Sequence, residues 1–230
     1  MTIDYSKQHI GILIPTKGEM KTKTVESLLG LLSHNQSIGL NTGIIFAEGT
    51  LLTSVRSRLV QEFVRKQYTH LFFLDSDMTF NHDMMQKLMD HKKSVICGIA
   101  KVRGGKHWNI FNRDAPTGKY IPYQEVDGTL TEIDGTGCAC VLIERPVVEE
   151  ILNSKSLACA DWKEIGSAYN GTNMIIKETI GNLEKDRFMF SSIGEKSEDI
   201  TMCEYIKKCG YNIYADTSVK LGHINDIVLY

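Results

Sequence analysis

This sequence of 230 residues lacks several features that would assign a protein directly to a functional class. Lysine and arginine number 26 and aspartate and glutamate 28, so bulk charge does not favour polyanion binding. No apolar run approaches the roughly 20 residues that cross a bilayer. The first residues, MTIDYSKQHIGILIP, lack the basic start of a signal peptide. We therefore expect a cytoplasmic protein without a transmembrane segment.

Cysteine pairs and the common phosphate-binding loops are also missing. The six cysteines are scattered and form no CxxC pair, so we interpret them as reduced thiols and expect no zinc site. Neither GxxxxGK[ST] nor GxGxxG occurs. These absences argue against P-loop nucleotide hydrolysis and conventional dinucleotide oxidoreduction.

The first half of the chain alternates short apolar runs with amphipathic segments, and 42% of all residues are hydrophobic. The run IGILIP predicts a buried strand, and TGIIFAEG, LFFLDSD and SVICGIAKV predict three further strands. Helical spacing of apolar residues between them predicts three helices. This alternation is typical of an α/β domain with a mostly parallel sheet, helices on both faces, and ligands at the carboxyl ends of the strands.

The second half is less regular. GGKHWNIFNRDAPTGK predicts a mobile loop, and IPYQEVDGTLTEI predicts a hairpin around its Asp-Gly pair. TGCACVLIER predicts a buried strand, with a helix starting near Pro146. Residues 153–187 lack periodicity and predict a variable lobe. SEDITMCEYIKKCG predicts a helix capped by Ser197 and ended by Gly210, and YNIYADTSVKLGHI predicts a final strand.

Two carboxylates, Asp75 and Asp77, follow the buried run LFFL, at the expected ligand edge of the sheet. A carboxylate pair suits Mg²⁺ or Mn²⁺, which take one or two protein carboxylates and complete their shell with water and phosphate oxygens. The alternative is a solvated turn. The sequence therefore offers a candidate metal-diphosphate site with a structural alternative.

Two further places could carry chemistry. Glu198 and Asp199 begin a predicted helix, where a carboxylate held by the backbone could act as a general base or could simply complement the helix dipole. His223 follows a glycine near the C-terminus and could join two carboxylates in a Mn²⁺ site, or serve a structural role.

Basic residues lie near the same predicted edge. Arg56, Lys101 and Arg103 could pair with a diphosphate there, whereas Arg58 fits a solvated helix face beside Glu62 equally well. The segment KVRGGKHW, which starts at Lys101, could form a lid, contact an acceptor, or be an ordinary exposed loop.

Taken in order, these pieces resemble the GT-A nucleotide-sugar glycosyltransferases, particularly small inverting family 2-like enzymes of bacteria and phages. The matching segments span residues 10–224 and are IGILIPT, LLTSVRSRLVQEFV leading into THLFFLDSDM, GTGCACVLIER and SEDITMCEYIKKCGYNIYADTSVKLGHI. The resemblance implies a GT-A (Rossmann-like) fold with a small C-terminal acceptor-side lobe. It implies one domain over 1–230, with a nucleotide-sugar part at about 1–103 and an acceptor-side part at about 104–230.

By this resemblance, Asp75 and Asp77 form the DxD motif, with Asp77 a metal ligand, Asp75 near the ribose or the metal, and Ser76 at the donor. His223 would complete the metal site. Glu198 and Asp199 match the xED motif, in which the aspartate deprotonates the acceptor hydroxyl.

The resemblance also implies donor-binding residues outside the acidic motifs. Pro15 and Thr16 follow the first strand, where the nucleotide is bound. Arg56 matches an arginine before the DxD strand, although related enzymes often have Arg-Asn where this chain has Arg56 and Ser57. Lys101 is expected beside the donor diphosphate.

The implied activity is transfer of a sugar, with inversion, from a nucleotide-diphosphate donor such as a UDP-sugar to an acceptor hydroxyl, using Mn²⁺ or Mg²⁺. The acceptor could be a saccharide or a modified base in DNA. Two alternatives stay open: a nucleotidyltransferase acting on a sugar phosphate, and a non-catalytic module that binds sugar nucleotides or carbohydrate.

Overall fold

The computed structural model of the chain describes residues 3–154, 189–190 and 196–224, so the lobe expected at 153–187 lies almost entirely outside the described residues. Five α-helices are described: α1 Thr22–Ser37, α2 Leu52–Arg65, α3 Met84–Asp90, α4 Arg145–Asn153 and α5 Glu198–Lys208. The strands are β1 His9–Thr16, β2 Asn41–Glu48, β3 His70–Leu74, β4 Met78–Thr79, β5 Val95–Ala100, β6 Ile110–Arg113, β7 Tyr120–Pro122, β8 Leu130–Ile133, β9 Gly135–Thr136, β10 Cys140–Glu144 and β11 Ile213–His223. Within these ranges no helix combines the length and apolarity needed to cross a membrane.

Among the described residues, the central sheet has eight strands in the order β2-β1-β3-β10-β5-β11-β4, with β8 also paired to β11. β1 runs parallel to β2 and β3, and β5 runs parallel to β11. β10 lies antiparallel between β3 and β5, so these two strands share one direction. The predicted α/β class, with a mostly parallel sheet flanked by helices, is confirmed, and its architecture is consistent with a GT-A (Rossmann-like) fold.

Both faces of the sheet are covered, which explains why its central strands are apolar at consecutive positions. Successive side chains of a strand point to opposite faces. Leu13 and Phe73 accordingly pack into one apolar cluster with residues of α2, α4 and α5. Their neighbours Ile12 and Phe72 pack into a second cluster with residues of α1 and α3.

A smaller sheet of three strands, β7-β6-β9, corrects two predictions. Residues 110–113 lie in the predicted loop but form β6, which pairs with β7 and β9. The predicted hairpin is wrong because β7 pairs with β6, whereas β8 pairs with β11 of the central sheet. The chain bends at the Asp-Gly pair, with Gly128 at φ 83°. An alternating pattern identifies a strand, but it does not identify the strand's partner.

Helix α5 begins and ends where its sequence predicts. The Ser197 side chain accepts a hydrogen bond from the Ile200 backbone N–H at 3.5 Å, and Gly210 takes a left-handed φ of 86° just after the helix. Acidic residues occupy its first turn and lysines its last, which complements the helix dipole. This capped start fixes the backbone of Glu198 and Asp199.

Candidate active site

The structure brings the DxD segment and the C-terminal histidine to one edge of the central sheet. Asp75 follows the last residue of β3. Met78 in β4 pairs with His223 in β11, and the Ile224 backbone N–H donates to the Asp77 carbonyl oxygen at 2.9 Å. Residues almost 150 positions apart in the chain are therefore neighbours, as their predicted shared role requires.

A buried arginine joins the two acidic motifs. Arg56 is only 2% exposed, and its guanidinium donates to Glu198 at 2.9 Å, to Asp75 at 3.4 Å, and to Asp199. The amphipathic pattern of α2 explains its position, since Val55, Leu59 and Phe63 of the same helix are buried. Both terminal nitrogens of Arg56 are thus engaged by carboxylates, whereas the sequence placed this residue at the donor phosphate.

Burial sets the proton affinity of the two aspartates in this cluster. It raises the pKa of Asp199, an effect that Arg56 opposes and Glu198 reinforces. Burial likewise raises the pKa of Asp75, again against the attraction of Arg56. A carboxylate that is oriented by a cation yet more basic than a free aspartate is suited to accepting a proton.

Two side chains that are able to bind a metal, the Asp77 carboxylate and the His223 ring, lie beside this cluster. His223 Nδ1 lies 2.7 Å from the Lys101 carbonyl oxygen. Because a carbonyl can only accept, Nδ1 is the donor in this contact, which leaves Nε2 as the ring nitrogen that could bind a metal, the arrangement common in metal-binding histidines.

The described residues do not form a complete metal site. Over the described ranges, no three His, Cys, Asp or Glu side chains are grouped closely enough to hold an ion. Asp77 instead pairs with Arg103, whose side chain is 62% exposed. The residue types fit Mn²⁺ or Mg²⁺, but a bound cation would have to take the place of Arg103 at Asp77.

The predicted donor-binding residues differ in where they point. The Thr16 hydroxyl donates to the Glu19 carbonyl oxygen at 2.7 Å and so shapes the loop after buried Pro15. The Ser76 carbonyl oxygen accepts from the Lys21 backbone N–H at 3.2 Å, which ties that loop to the DxD segment.

Lys101 is directed into its own loop rather than toward the aspartates. Its ammonium donates to the Lys106 carbonyl oxygen at 2.8 Å and lies 4.6 Å from the centroid of the Trp108 ring. Its predicted contact with a donor diphosphate therefore requires the side chain to leave both partners.

Three residues near the carboxylates were missed by the sequence reasoning. The buried Cys138 thiol lies near Asp199, and its pKa is raised by burial and then by that carboxylate. A Cβ at Gly137 would lie 3.5 Å from Asn109 Nδ2 and 3.6 Å from Asp199 Oδ2. Gly137 thus leaves a small space between an amide and a carboxylate. The segment GTGCACVLIER contains Gly137 and Cys138, but the sequence reasoning assigned them no role at the site, because only the fold brings this segment to α5.

Comparisons with known proteins concern the fold. No protein-family model matches the chain, and no curated protein matches it. Among solved structures, protein A197 from STIV is similar, with a TM-score of 0.55 and 16% identity over 95% of this chain and 87% of that chain. At this identity the likeness establishes a shared fold and carries no statement about activity.

A second solved structure is a mutant Drosophila β1,4-galactosyltransferase 7 in complex with manganese, UDP-Gal and xylobiose. It has a TM-score of 0.49 and 11% identity, over 95% of this chain and 71% of that chain. Because this TM-score is below 0.5, no conclusion about the present chain follows from it.

Proposed function

We propose that this chain is a metal-dependent glycosyltransferase that moves a sugar from a nucleotide-diphosphate donor to an acceptor hydroxyl with inversion. The observation that carries the proposal is the contact of buried Arg56 with Asp75, Glu198 and Asp199, which unites two acidic motifs recognised separately in the sequence. The site lies at the carboxyl edge of the parallel strands, where open α/β sheets bind ligands.

In this proposal Asp199 is the general base. Its backbone is fixed by the start of α5 and its carboxylate is oriented by Arg56, while burial raises its pKa. The carboxylate takes the proton of the acceptor hydroxyl as the oxygen attacks the sugar, and Glu198 helps to hold Arg56 in place. The space left by Gly137 is where the acceptor hydroxyl would approach.

Asp77 and His223 would hold Mn²⁺ or Mg²⁺, with Asp75 at the ribose or the metal. When bound, such an ion stabilises the negative charge that develops on the leaving diphosphate. Arg103, freed from Asp77, would turn toward the diphosphate. Pro15, Thr16 and Ser76 would shape the nucleotide pocket, and Lys101 would reach the donor after leaving the Lys106 carbonyl.

The role of Arg56 is proposed here as positioning. The side chain is 2% exposed and both of its terminal nitrogens already contact carboxylates, so little of the guanidinium is accessible to a donor phosphate. We also propose that residues 1–230 form one domain, with donor binding at about 1–103 and acceptor binding at about 104–230. A UDP-sugar is the proposed donor, and a saccharide or a modified DNA base the proposed acceptor.

One experiment separates this proposal from its two alternatives. The chain is incubated with a panel of sugar nucleotides, or with nucleoside triphosphates plus sugar phosphates, in Mn²⁺ or EDTA, and the released products are identified. Slow Mn²⁺-dependent release of a nucleoside diphosphate supports the glycosyltransferase. Pyrophosphate release would identify a nucleotidyltransferase, and donor binding without hydrolysis would identify a binding module.

A further inference from the structure

A cavity whose lining includes none of the acidic cluster lies between the small sheet and the C-terminal half of α5. Its volume is about 420 Å³. Four of its lining residues are basic (Arg113, Lys196, Lys207 and Lys208) and two are acidic (Asp134 and Glu204). This size is in the range of pockets that hold small ligands, and none of these residues takes part in the proposed transfer reaction.

The two acidic residues are each paired within the cavity wall. Lys196 donates to Glu204 at 2.6 Å, and Lys207 pairs with Asp134. Burial acts to raise the pKa of Asp134, but the Arg113 backbone N–H and Lys207 outweigh it and lower the pKa overall. The two pairs cancel two of the four positive charges.

Two cations remain to face a ligand. Within the described ranges, neither Arg113 nor Lys208 has a carboxylate within 4.0 Å. Arg113 Nε lies 3.4 Å from the Gly118 carbonyl oxygen, and the Lys208 ammonium lies 5.8 Å from the centroid of the Tyr205 ring. The lining thus carries two positive charges beyond those balanced by its own carboxylates.

The Tyr120 side chain, with its aromatic ring and its hydroxyl group, completes the cavity wall. The Tyr120 hydroxyl donates to Glu204 at 3.3 Å, and its ring packs where a Cβ on Gly135 would come within 3.1 Å. Burial, followed by the nearby Glu204 carboxylate, raises the Tyr120 pKa, so the phenol stays protonated. The ring offers an apolar surface next to the uncompensated cations.

We propose that this cavity is a binding site for a phosphate dianion, either free or as the monoester of a small molecule. A phosphate monoester carries a charge of about −1.5 to −2 at neutral pH. This charge matches the two uncompensated cations more closely than the single negative charge of a carboxylate ligand would. Arg113 supplies the planar fork that phosphate oxygens favour, and Lys208 a second charge. The proposal does not depend on the transferase activity, because the site shares no residue with the acidic cluster.

The test measures binding of inorganic phosphate to the full chain by titration calorimetry at constant ionic strength. We expect Arg113→Gln and Lys208→Gln each to weaken binding by about tenfold, the change that one charge-assisted hydrogen bond typically supplies. Glu204→Gln should strengthen binding, because it removes a negative charge from the wall and leaves the contact with Tyr120 possible. Arg65→Gln and Glu62→Gln, an exposed pair on α2, serve as matched controls without effect.

Further arms fix the location and the source of the phosphate. Arg103→Gln, which removes the cation at the DxD edge, should leave phosphate binding unchanged, and this separates the cavity from a phosphate held at that edge. Tighter binding of a sugar phosphate than of inorganic phosphate would assign the cavity to a phosphorylated saccharide, and equal binding to the free ion. Unchanged affinity in both Arg113→Gln and Lys208→Gln, or no phosphate binding to the unaltered chain, would overturn the proposal.

Discussion

Arg56 and Asp199 are separated by 143 positions in the chain, yet the buried guanidinium of Arg56 donates a hydrogen bond to the Asp199 carboxylate. The same guanidinium contacts Asp75, which follows β3. One cation on α2 thereby sets the relative positions of the DxD segment and the start of α5. The proposed base and the proposed donor site are coupled through this side chain, so the strongest tests of the function concern these contacts.

Replacing Arg56 should destabilise the fold because three carboxylates would lose their shared cation. We expect Arg56→Met to lower the free energy of unfolding by about 3–5 kcal/mol, the cost of breaking a buried ion pair. Urea unfolding at pH 7 measures this. Arg65→Met on the same helix is the control, since its exposed pair with Glu62 contributes about 0–1 kcal/mol. Equal effects of the two substitutions would contradict the positioning role of Arg56.

Replacing Asp199 should remove the base but leave the donor site. We expect Asp199→Asn to lower the transfer rate roughly 10²–10⁴-fold with little change in donor affinity, as loss of a general base does. In the unaltered chain, kcat/KM should rise with pH through a pKa above 3.8, because burial raises the Asp199 pKa and only the ionised carboxylate accepts a proton. This acid limb should be absent from the residual activity of the variant.

Two controls accompany that measurement. Glu149→Gln, an exposed carboxylate on α4 paired with Arg145, should leave the rate unchanged. The anomeric configuration of the product is read by NMR, and retention of configuration would refute the inverting mechanism.

Asp77 and Arg103 should have opposite effects on metal binding. Asp77→Asn removes a proposed ligand and should abolish Mn²⁺-dependent turnover with little effect on unfolding, because its pair with exposed Arg103 is worth about 0–1 kcal/mol. Arg103→Ala removes the cation that competes for the carboxylate and should tighten Mn²⁺ binding in the absence of donor. Thermal-shift titration with Mn²⁺ measures metal binding by the two variants. Full turnover in Asp77→Asn would end the metal assignment.

His223 should contribute to metal affinity through Nε2. We expect His223→Ala to weaken Mn²⁺ binding by at least about tenfold, a change that corresponds to the loss of about 1.4 kcal/mol. The same titration provides the measurement, and His82→Ala, an exposed histidine before α3, is the matched control. If both variants bind Mn²⁺ as the unaltered chain does, His223 has a structural role only.

Gly137 should matter for the acceptor more than for the donor. A Cβ there would make ordinary contacts of 3.5 Å with Asn109 and 3.6 Å with Asp199, so Gly137→Ala should fold normally. The added methyl group would fill the space in front of the proposed base. We expect acceptor KM to rise, with Mn²⁺-dependent donor hydrolysis retained. A loss of both activities in parallel would instead indicate general damage to the site.

Local patterns determined much of the fold. The apolar runs identified β1, β3, β5 and β10, because a strand buried on both faces must be apolar at consecutive positions. The segment TGIIFAEG and the alternation near the C-terminus identified β2 and β11, which are less completely buried. The end of the LFFL run placed Asp75 just outside a strand. Ser197 and Gly210 marked the two ends of α5, because a helix leaves backbone groups unpaired at each end and these residue types satisfy or terminate them. These features depend only on residues close in sequence.

The partners of those elements were decided by the tertiary structure. A period of two is the same for parallel and antiparallel strands, so the sequence did not reveal that β10 runs antiparallel, or that β8 pairs with β11 rather than β7. The engagement of Arg56 with Asp199, of Arg103 with Asp77 and of Lys101 with its own loop likewise depends on long-range packing. The sequence supplied the chemical groups, but only the packing of distant segments determined which charges meet and which are left to face a ligand.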